Sequence, residues 1–423
     1  MEVKEPAKSK GIKSFFKSLG PGLVTGASDD DPSGIATYSQ AGAQFGFATL
    51  WTALITYPLM ASIQEMCARI GIVTNSGLTG TLKRYYPKWL MWSLVFFSTP
   101  AIILNIGSDI AGMGAVMNML IPKVNAVYFS IFFTILMIVL IIYLPYQQIA
   151  KVLKYLCLSL LVYLVVPFLT KAPWLDILRH TVIPTIKLDA DFFGILVAIL
   201  GTTISPYLFF WQATMEVEEL EQMPGKVIVN KRLLNDVKND VNAGMFSSNL
   251  VMYFIILTTA TVLFQNGIHK IDTVEQAAKA LEPIAGKFAY YLFTIGVIGT
   301  GLLTIPVLSG SLSYIYSEAF GWKGSLNKKF GQAKSFYVVM IISLLLGLAL
   351  NYLGISPIKA LLYTAILYGI TAPVMIAVVI HIANNPAIMK KFVNKRRSNI
   401  MGWITFALMT TAALFLLYTS LFN

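Results

Sequence analysis

Uncharged runs of roughly 20 residues recur along this chain, the length that a helix needs to cross a bilayer. YFSIFFTILMIVLIIYL (128–144) and VVMIISLLLGLALNYL (338–353) are two of them. Backbone in hydrocarbon must satisfy its own hydrogen bonds, so such runs are helices or strands of a closed barrel. Barrel strands alternate polar and apolar residues, and these runs do not. Charged residues make up only 12% of the chain, about half the ~25% of soluble domains. The chain therefore reads as an all-α polytopic membrane protein, which excludes an ordinary cytosolic enzyme.

Eleven spans are expected, near 20–43, 46–72, 90–120, 124–144, 149–170, 191–215, 243–265, 284–320, 334–353, 358–382 and 400–421. They form a single transmembrane domain over residues 1–423, with a basic tail at 1–19. The net charge of +12 tracks topology rather than nucleic acid. With a cytoplasmic N-terminus, about three quarters of the 32 Lys and Arg fall on cytoplasmic connections and adjoining helix ends. The positive-inside rule thus predicts a multi-pass cell-membrane protein with its C-terminus extracellular. Cys67 and Cys157 lie in apolar runs, too few for a disulfide framework, and His180, His269 and His381 are scattered. The N-terminal stretch has lysines but no cleavable apolar core, so a removable signal peptide is not expected.

Against this background the stretch SDDDPSGI (28–35) is anomalous. One Asp at a helix centre costs about 2.5–3.5 kcal/mol, so three on an intact lipid-facing helix would cost on the order of 10 kcal/mol. Pro32 lacks an amide hydrogen and Ser33–Gly34 add freedom. A helix that unwinds there and faces a water-filled cavity removes the conflict. The sixth span is interrupted too, at GTTISP (201–206). Interrupted helices at positions one and six suggest a five-plus-five inverted repeat, 20–170 and 191–382, with an extra helix at 400–421. Paired breaks of this kind mark a transporter's substrate site. The carboxylates select a cation, with oxygen-binding metals favoured.

GPGLVTGASDDDPSG, ARIGIVT (68–74) and GTTISPY resemble the NRAMP divalent-metal transporters over nearly the whole chain. The resemblance implies a LeuT-like fold and a metal held at the two breaks. The family's first-helix motif is Asp-Pro-Gly-Asn and its sixth-helix motif is Met-Pro-His. Transferred position by position, the Asp is Asp31, the Asn falls on Gly34, the Met on Ser205 and the His on Tyr207. The carbonyl ligands implied are those of Ser28 and Thr202. Two of the family's three side-chain ligands are thus replaced. Without the thioether, the expected set is all oxygen: Asp31, Ser205, the two carbonyls, Asp30 through water, and the Gly34 position. Sulfur favours softer metals, whereas Mg²⁺ prefers oxygen and keeps several waters. The pattern resembles the NRAMP-related magnesium transporter (NRMT) branch. Pro32, Pro206, Tyr207 and Asp109 are expected to gate or support the site.

Asp109 matches a family aspartate linked to proton transfer, but the acidic residue expected three positions later is Gly112, and the ninth span has no arginine, only Lys334 at its entrance. The reading is therefore a secondary transporter, not an enzyme. It takes up partly hydrated Mg²⁺, and also Mn²⁺, with weak or no proton coupling. It needs no cofactor and has no obligatory protein partner evident; the metal ion and membrane lipids are its partners, and nucleic acid is not. The rival readings are a proton-coupled Mn²⁺/Fe²⁺ importer and a non-transporting membrane metal sensor. MEVEELEQ (215–222) reads as a solvated helix end, with drawing cations at the cytoplasmic exit as its alternative; Asp29 reads as a cap or cavity-wall residue, and KKFVNKRRS (390–398) as a solvated cytoplasmic anchor, with an anionic-lipid site as its alternative.

Overall fold

The structure is a computed structural model that describes residues 20–144, 158–170, 172–223 and 228–422. The N-terminal tail, the first half of the expected fifth span and Asn423 lie outside the described residues. The helices are α1 (Pro21–Asp29), α2 (Pro32–Phe45), α3 (Trp51–Thr74), α4 (Leu78–Tyr85), α5 (Lys88–Leu120) and α6 (Ala126–Tyr143). After these come α7 (Val162–Leu169), α8 (Trp174–Val182), α9 (Ala190–Thr203), α10 (Pro206–Gln222) and α11 (Lys231–Val262). The chain closes with α12 (Ala289–Phe320), α13 (Lys334–Leu350), α14 (Pro357–Asn384) and α15 (Arg396–Phe422).

Among the described residues, eight helical stretches are long and apolar enough to cross a membrane, or nine if the bent pair Pro32–Thr49 and Trp51–Thr74 counts as one more. That pair turns by 109°. The expected first span is two short helices, α1 and α2, separated at Asp30–Asp31. The expected sixth span is α9 and α10, separated at Ile204–Ser205. Both second halves begin on proline, Pro32 and Pro206. Proline suits a first helical position because its φ is preset and no helical partner is needed for the missing amide. It also disfavours helical geometry in the residue before it. Asp31 and Ser205 are accordingly extended, with ψ of 172° and 126°.

Burial orders the helices from centre to rim. In the α9–α10 stretch 94% of the most apolar window is buried, against 28% for α6 and for α15. The broken helices occupy the middle and the outer helices face lipid. With lipid as the alternative solvent, close backbone approach carries helix association. Gly26 of α1 lies against Gly244 of α11 so closely that an added Cβ would stand 2.2 Å from the Gly244 carbonyl oxygen. Gly201 of α9 meets α14 the same way, its Cβ position being 2.0 Å from the Ala365 oxygen and 2.3 Å from the Gly369 nitrogen. Each half-helix thus runs backbone-on-backbone against an unbroken neighbour.

Candidate metal-ion site

The two breaks meet at the centre of the bundle. Asp31 caps α2: its Oδ1 accepts from the Gly34 amide at 2.6 Å. Its Oδ2 accepts from Asn105 Nδ2 of α5 at 3.2 Å. Gly34 has no room for a side chain without movement. A Cβ there would meet the Asp29 carbonyl oxygen at 3.2 Å, the Tyr38 ring at 3.3 Å and Asp31 Oδ1 at 3.4 Å. Asp109 lies one turn beyond Asn105 on the same face of α5, fully buried and with no hydrogen-bond partner on either carboxylate oxygen among the described residues.

The three consecutive aspartates do not all converge on one point. Successive helical residues point about 100° apart, and α1 persists through Asp29 before the chain opens. Ser248 Oγ of α11 lies 2.8 Å from Asp29 Oδ2 and 3.2 Å from Asp30 Oδ1, so this hydroxyl serves both. Asp31 alone turns to α5. Asp29 is therefore buried against α11 rather than a solvated wall residue. Among the described residues no set of three His, Cys, Asp or Glu side chains forms a metal-holding group. Any cation at Asp31 would rest on few protein side chains, with carbonyls, hydroxyls and water completing its shell.

The other expected residues cross-link the breaks. Tyr207 Oη, at the start of α10, donates to the Ser28 carbonyl at 3.0 Å, and Thr304 Oγ1 of α12 donates to the same oxygen at 3.2 Å. Ser205 does not cap α10. Its hydroxyl turns back to the α9 end, 2.7 Å from the Thr202 carbonyl and 3.0 Å from that of Gly201. The Ser28 and Thr202 carbonyls, expected as ligands, hence accept protein hydrogen bonds in this arrangement. Tyr368 of α14 packs on Tyr207 with ring centroids 5.7 Å apart.

Burial sets the electrostatics. Asp29, Asp30, Asp31 and Asp109 are 1%, 5%, 2% and 0% exposed. Among the described residues Arg69 is the one buried Lys or Arg. It is engaged elsewhere, with Glu65 at 2.9 Å and with the Phe392 carbonyl and Asn394. Four buried carboxylates consequently lack a protein cation, and burying even one ionised carboxylate unpaired costs several kcal/mol. Such a site invites cations or protons from outside.

Below the site, toward the ends of α10 and α12, further carboxylates clamp the helices. Thr25 of α1 donates to Gln212 Oε1, whose amide donates to Glu216 Oε1 at 2.7 Å. Tyr314 and Asn327 donate to Glu218 at 2.6 and 2.7 Å. Asp240 of α11 receives the amides of Gly20 and Gly22 at 2.9 and 2.7 Å. The acidic stretch after the sixth span is thus only in part a solvated helix end, with Glu221 and Gln222 exposed. Glu216 and Glu218 are buried; α12 and the turn after it close over Glu218, and Gln212 donates to Glu216.

Sequence reasoning missed Asn105, Ser248, Thr304 and Tyr368. Asn105 carried a signal, being one turn from Asp109 in a polar interruption of an apolar run. The others are single hydroxyls among many, and only the packing brings them to the breaks.

Known proteins agree with this architecture. The chain is 25% identical over 420 residues to the divalent metal cation transporter MntH of Caldanaerobacter subterraneus subsp. tengcongensis, covering 97% of this chain and 94% of the relative. It is 25% identical over 417 residues to MntH of Clostridium acetobutylicum, covering 97% and 92%. A crystal structure of the Eremococcus coleocola manganese transporter, bound to an aromatic bis-isothiourea compound, superposes with a TM-score of 0.74 at 17% identity, covering 97% of this chain and 88% of that one. The closed form of Mhp1, a nucleobase-cation-symport-1 transporter, superposes with a TM-score of 0.57 at 10% identity, covering 95% and 93%. Residues 22–419 match the Natural resistance-associated macrophage protein-like (Nramp) family, and the chain belongs to that family.

Proposed function

We propose that this protein carries divalent metal cations across the membrane, and that Mg²⁺ is the favoured cargo, with Mn²⁺ also accepted. Transport rather than catalysis follows from the family and from its metal-transporting relatives. The metal is cargo, not a resident cofactor.

The observation that carries the Mg²⁺ reading is the make-up of the two breaks. Asp31, Ser205, Thr202 and Ser28 offer only oxygen, and position 34 offers no side chain. The Met252 sulfur is taken up by Thr203, whose Oγ1 donates to it at 3.7 Å. A site of one carboxylate, hydroxyls and carbonyls suits an ion that keeps part of its water shell. It gives no soft ligand with which to prefer Mn²⁺ or Fe²⁺. In this reading the NRMT-like branch, the eleven spans and the unwinding of helices one and six belong together. Asp31 binds the ion, and Asp30 reaches it through water. The Ser28 carbonyl joins the shell once Tyr207 and Thr304 release it, and the Thr202 carbonyl and the Ser205 hydroxyl join once they part from each other.

Weak or absent proton coupling fits the surroundings of Asp109. Where a second carboxylate would be needed, Gly112 lies beside Leu361 and Pro32, at 3.3 and 3.7 Å from its Cβ position. α13 contributes no arginine, and Lys334 stands at its first residue. The membrane potential then drives entry, at about 2.3 kcal/mol per charge per 100 mV. A second reading, a proton-coupled Mn²⁺ importer, draws on Asp109 itself and on the manganese-transporting relative.

Uptake of Mg²⁺ and Mn²⁺ into liposomes with internal pH recorded tests both readings. Mg²⁺ entry without stoichiometric acidification is expected. Acidification matched to metal entry, with Mg²⁺ rejected, establishes the second reading instead. No transport of any divalent ion would favour a metal sensor.

A further inference from the structure

No Asp or Glu follows Glu318, so the last quarter of the chain carries only positive side-chain charge. That charge gathers where α14 hands over to α15. Lys390, Lys391, Lys395, Arg396 and Arg397 are all exposed. None of the five pairs with a carboxylate: among the described residues the ion pairs are Arg69–Glu65 and Lys270–Asp272. Cations so crowded repel one another, and an anion from outside relieves the repulsion.

The connection that carries them is held in one conformation. Arg69 of α3 binds the Phe392 carbonyl and Asn394. The Asn394 amide nitrogen donates to the Ala383 carbonyl at 2.9 Å. Asn399 Oδ1 accepts from Asn384 and Asn394 at 2.7 and 2.8 Å. Lys390 is fixed at φ 51°, a region that non-glycine residues seldom enter. From this platform an open, shallow groove descends along α15, its lining residues all on that helix: Arg396, Asn399, Ile400, Trp403, Ile404 and Ala407. These positions follow an i, i+3, i+4, i+7 pattern and form one stripe of the helix. Ile400, Trp403 and Ile404 are 45%, 52% and 43% exposed, on a helix that crosses the membrane.

We propose that this groove is a binding site for an anionic phospholipid, with the phosphate on Arg396 and its basic neighbours and an acyl chain along Ile400, Trp403, Ile404 and Ala407. Charge and shape select this occupant together. A soluble anion matches the cations but leaves the apolar stripe unused. A zwitterionic lipid covers the stripe but brings a choline or amine cation to a cationic rim. An indole at the interface packs against lipid with its ring while its N–H faces polar groups. Each basic group near an anionic lipid surface contributes about 1 kcal/mol, or roughly fivefold in affinity.

The full-length protein in mixed micelles tests this, with brominated phosphatidylglycerol or brominated phosphatidylcholine as the quencher of tryptophan fluorescence. Brominated phosphatidylglycerol is expected to quench at a several-fold lower mole fraction. Trp403→Phe should remove that lipid-specific component, and Arg396→Glu should weaken it at least about fivefold. Arg396→Gln, the milder change, should give an intermediate loss, and thermal melting without added lipid verifies that each variant is folded. Equal quenching by the two lipids overturns the proposal. So does a phosphatidylglycerol preference that survives both Arg396→Glu and Trp403→Phe. Full competition by millimolar inorganic phosphate or glycerol phosphate also overturns it, because the site would then hold a free anion.

Discussion

The hydroxyl of Tyr207 lies 3.0 Å from the carbonyl oxygen of Ser28, and this contact fastens the start of α10 to the end of α1. Because Thr304 binds the same oxygen at 3.2 Å, the Ser28 carbonyl is shared between two neighbours. Releasing it to a cation means giving up two modest interactions rather than one strong one.

Tyr207→Phe should therefore loosen the link between α10 and α1 without unfolding the protein. One hydrogen bond is worth about 1 kcal/mol, or roughly fivefold in population. Amide hydrogen exchange in peptides spanning residues 28–34 should quicken by about that factor. Unchanged exchange would mean that the contact does not hold the breaks together.

Asp31→Asn should abolish metal uptake while leaving the protein at least as stable to heat. A buried carboxylate without a cationic partner opposes folding, and its neutral isostere keeps the cap on Gly34. Asp29→Asn should show the same gain in melting temperature with a smaller loss of transport, since Asp29 faces Ser248. A melting temperature that falls sharply in both variants contradicts the electrostatic argument.

Ser205→Met should move selectivity rather than activity. A thioether at the α9–α10 break adds a soft ligand, so the Mn²⁺ to Mg²⁺ uptake ratio should rise by about tenfold or more. Gly34→Asn is the contrasting case. Contacts at 3.2–3.4 Å await its Cβ, and overpacking of this kind costs about 1–3 kcal/mol. Its thermal stability should drop before any change in selectivity can be read.

Glycine contacts make a sharper packing test. Gly26→Ala places a methyl 2.2 Å from the Gly244 carbonyl oxygen, so α1 must leave α11 and folded yield should collapse. Gly194→Ala, whose nearest neighbour stands 3.8 Å away, should be neutral or slightly stabilising, since alanine is the better helix former. Comparing size-exclusion profiles of the two variants checks the difference.

Helicity, the membrane setting and the places of both breaks were readable because each is a local property. A run of apolar residues, a proline or a triple aspartate declares itself without neighbours. What Asp29 and Asp30 do was hidden because it depends on Ser248, more than 200 residues away. Their division from Asp31 follows from where α1 stops, and no composition window reveals that to the residue. The first half of the acidic stretch 215–222 misled for the same reason, while Glu221 and Gln222 are exposed. Its sequence has the polarity of a solvated end, yet Tyr314 and Asn327 close over Glu218 from elsewhere in the chain.

Pro32 and Pro206 have a consequence for movement. An ordinary residue at the head of a half-helix carries an amide hydrogen, which would bond across the break in one orientation and be orphaned in another. A proline there carries none, so α1 can pivot about Asp30–Asp31 and α9 about Ile204–Ser205 without tearing a donor from its partner at residues 32 and 206. The joints are free of the ratchet that hydrogen bonds would impose at those positions. Any turning there would be opposed by the contacts of Tyr207 and Thr304 with Ser28 and by the close packing of α1 on α11 and of α9 on α14.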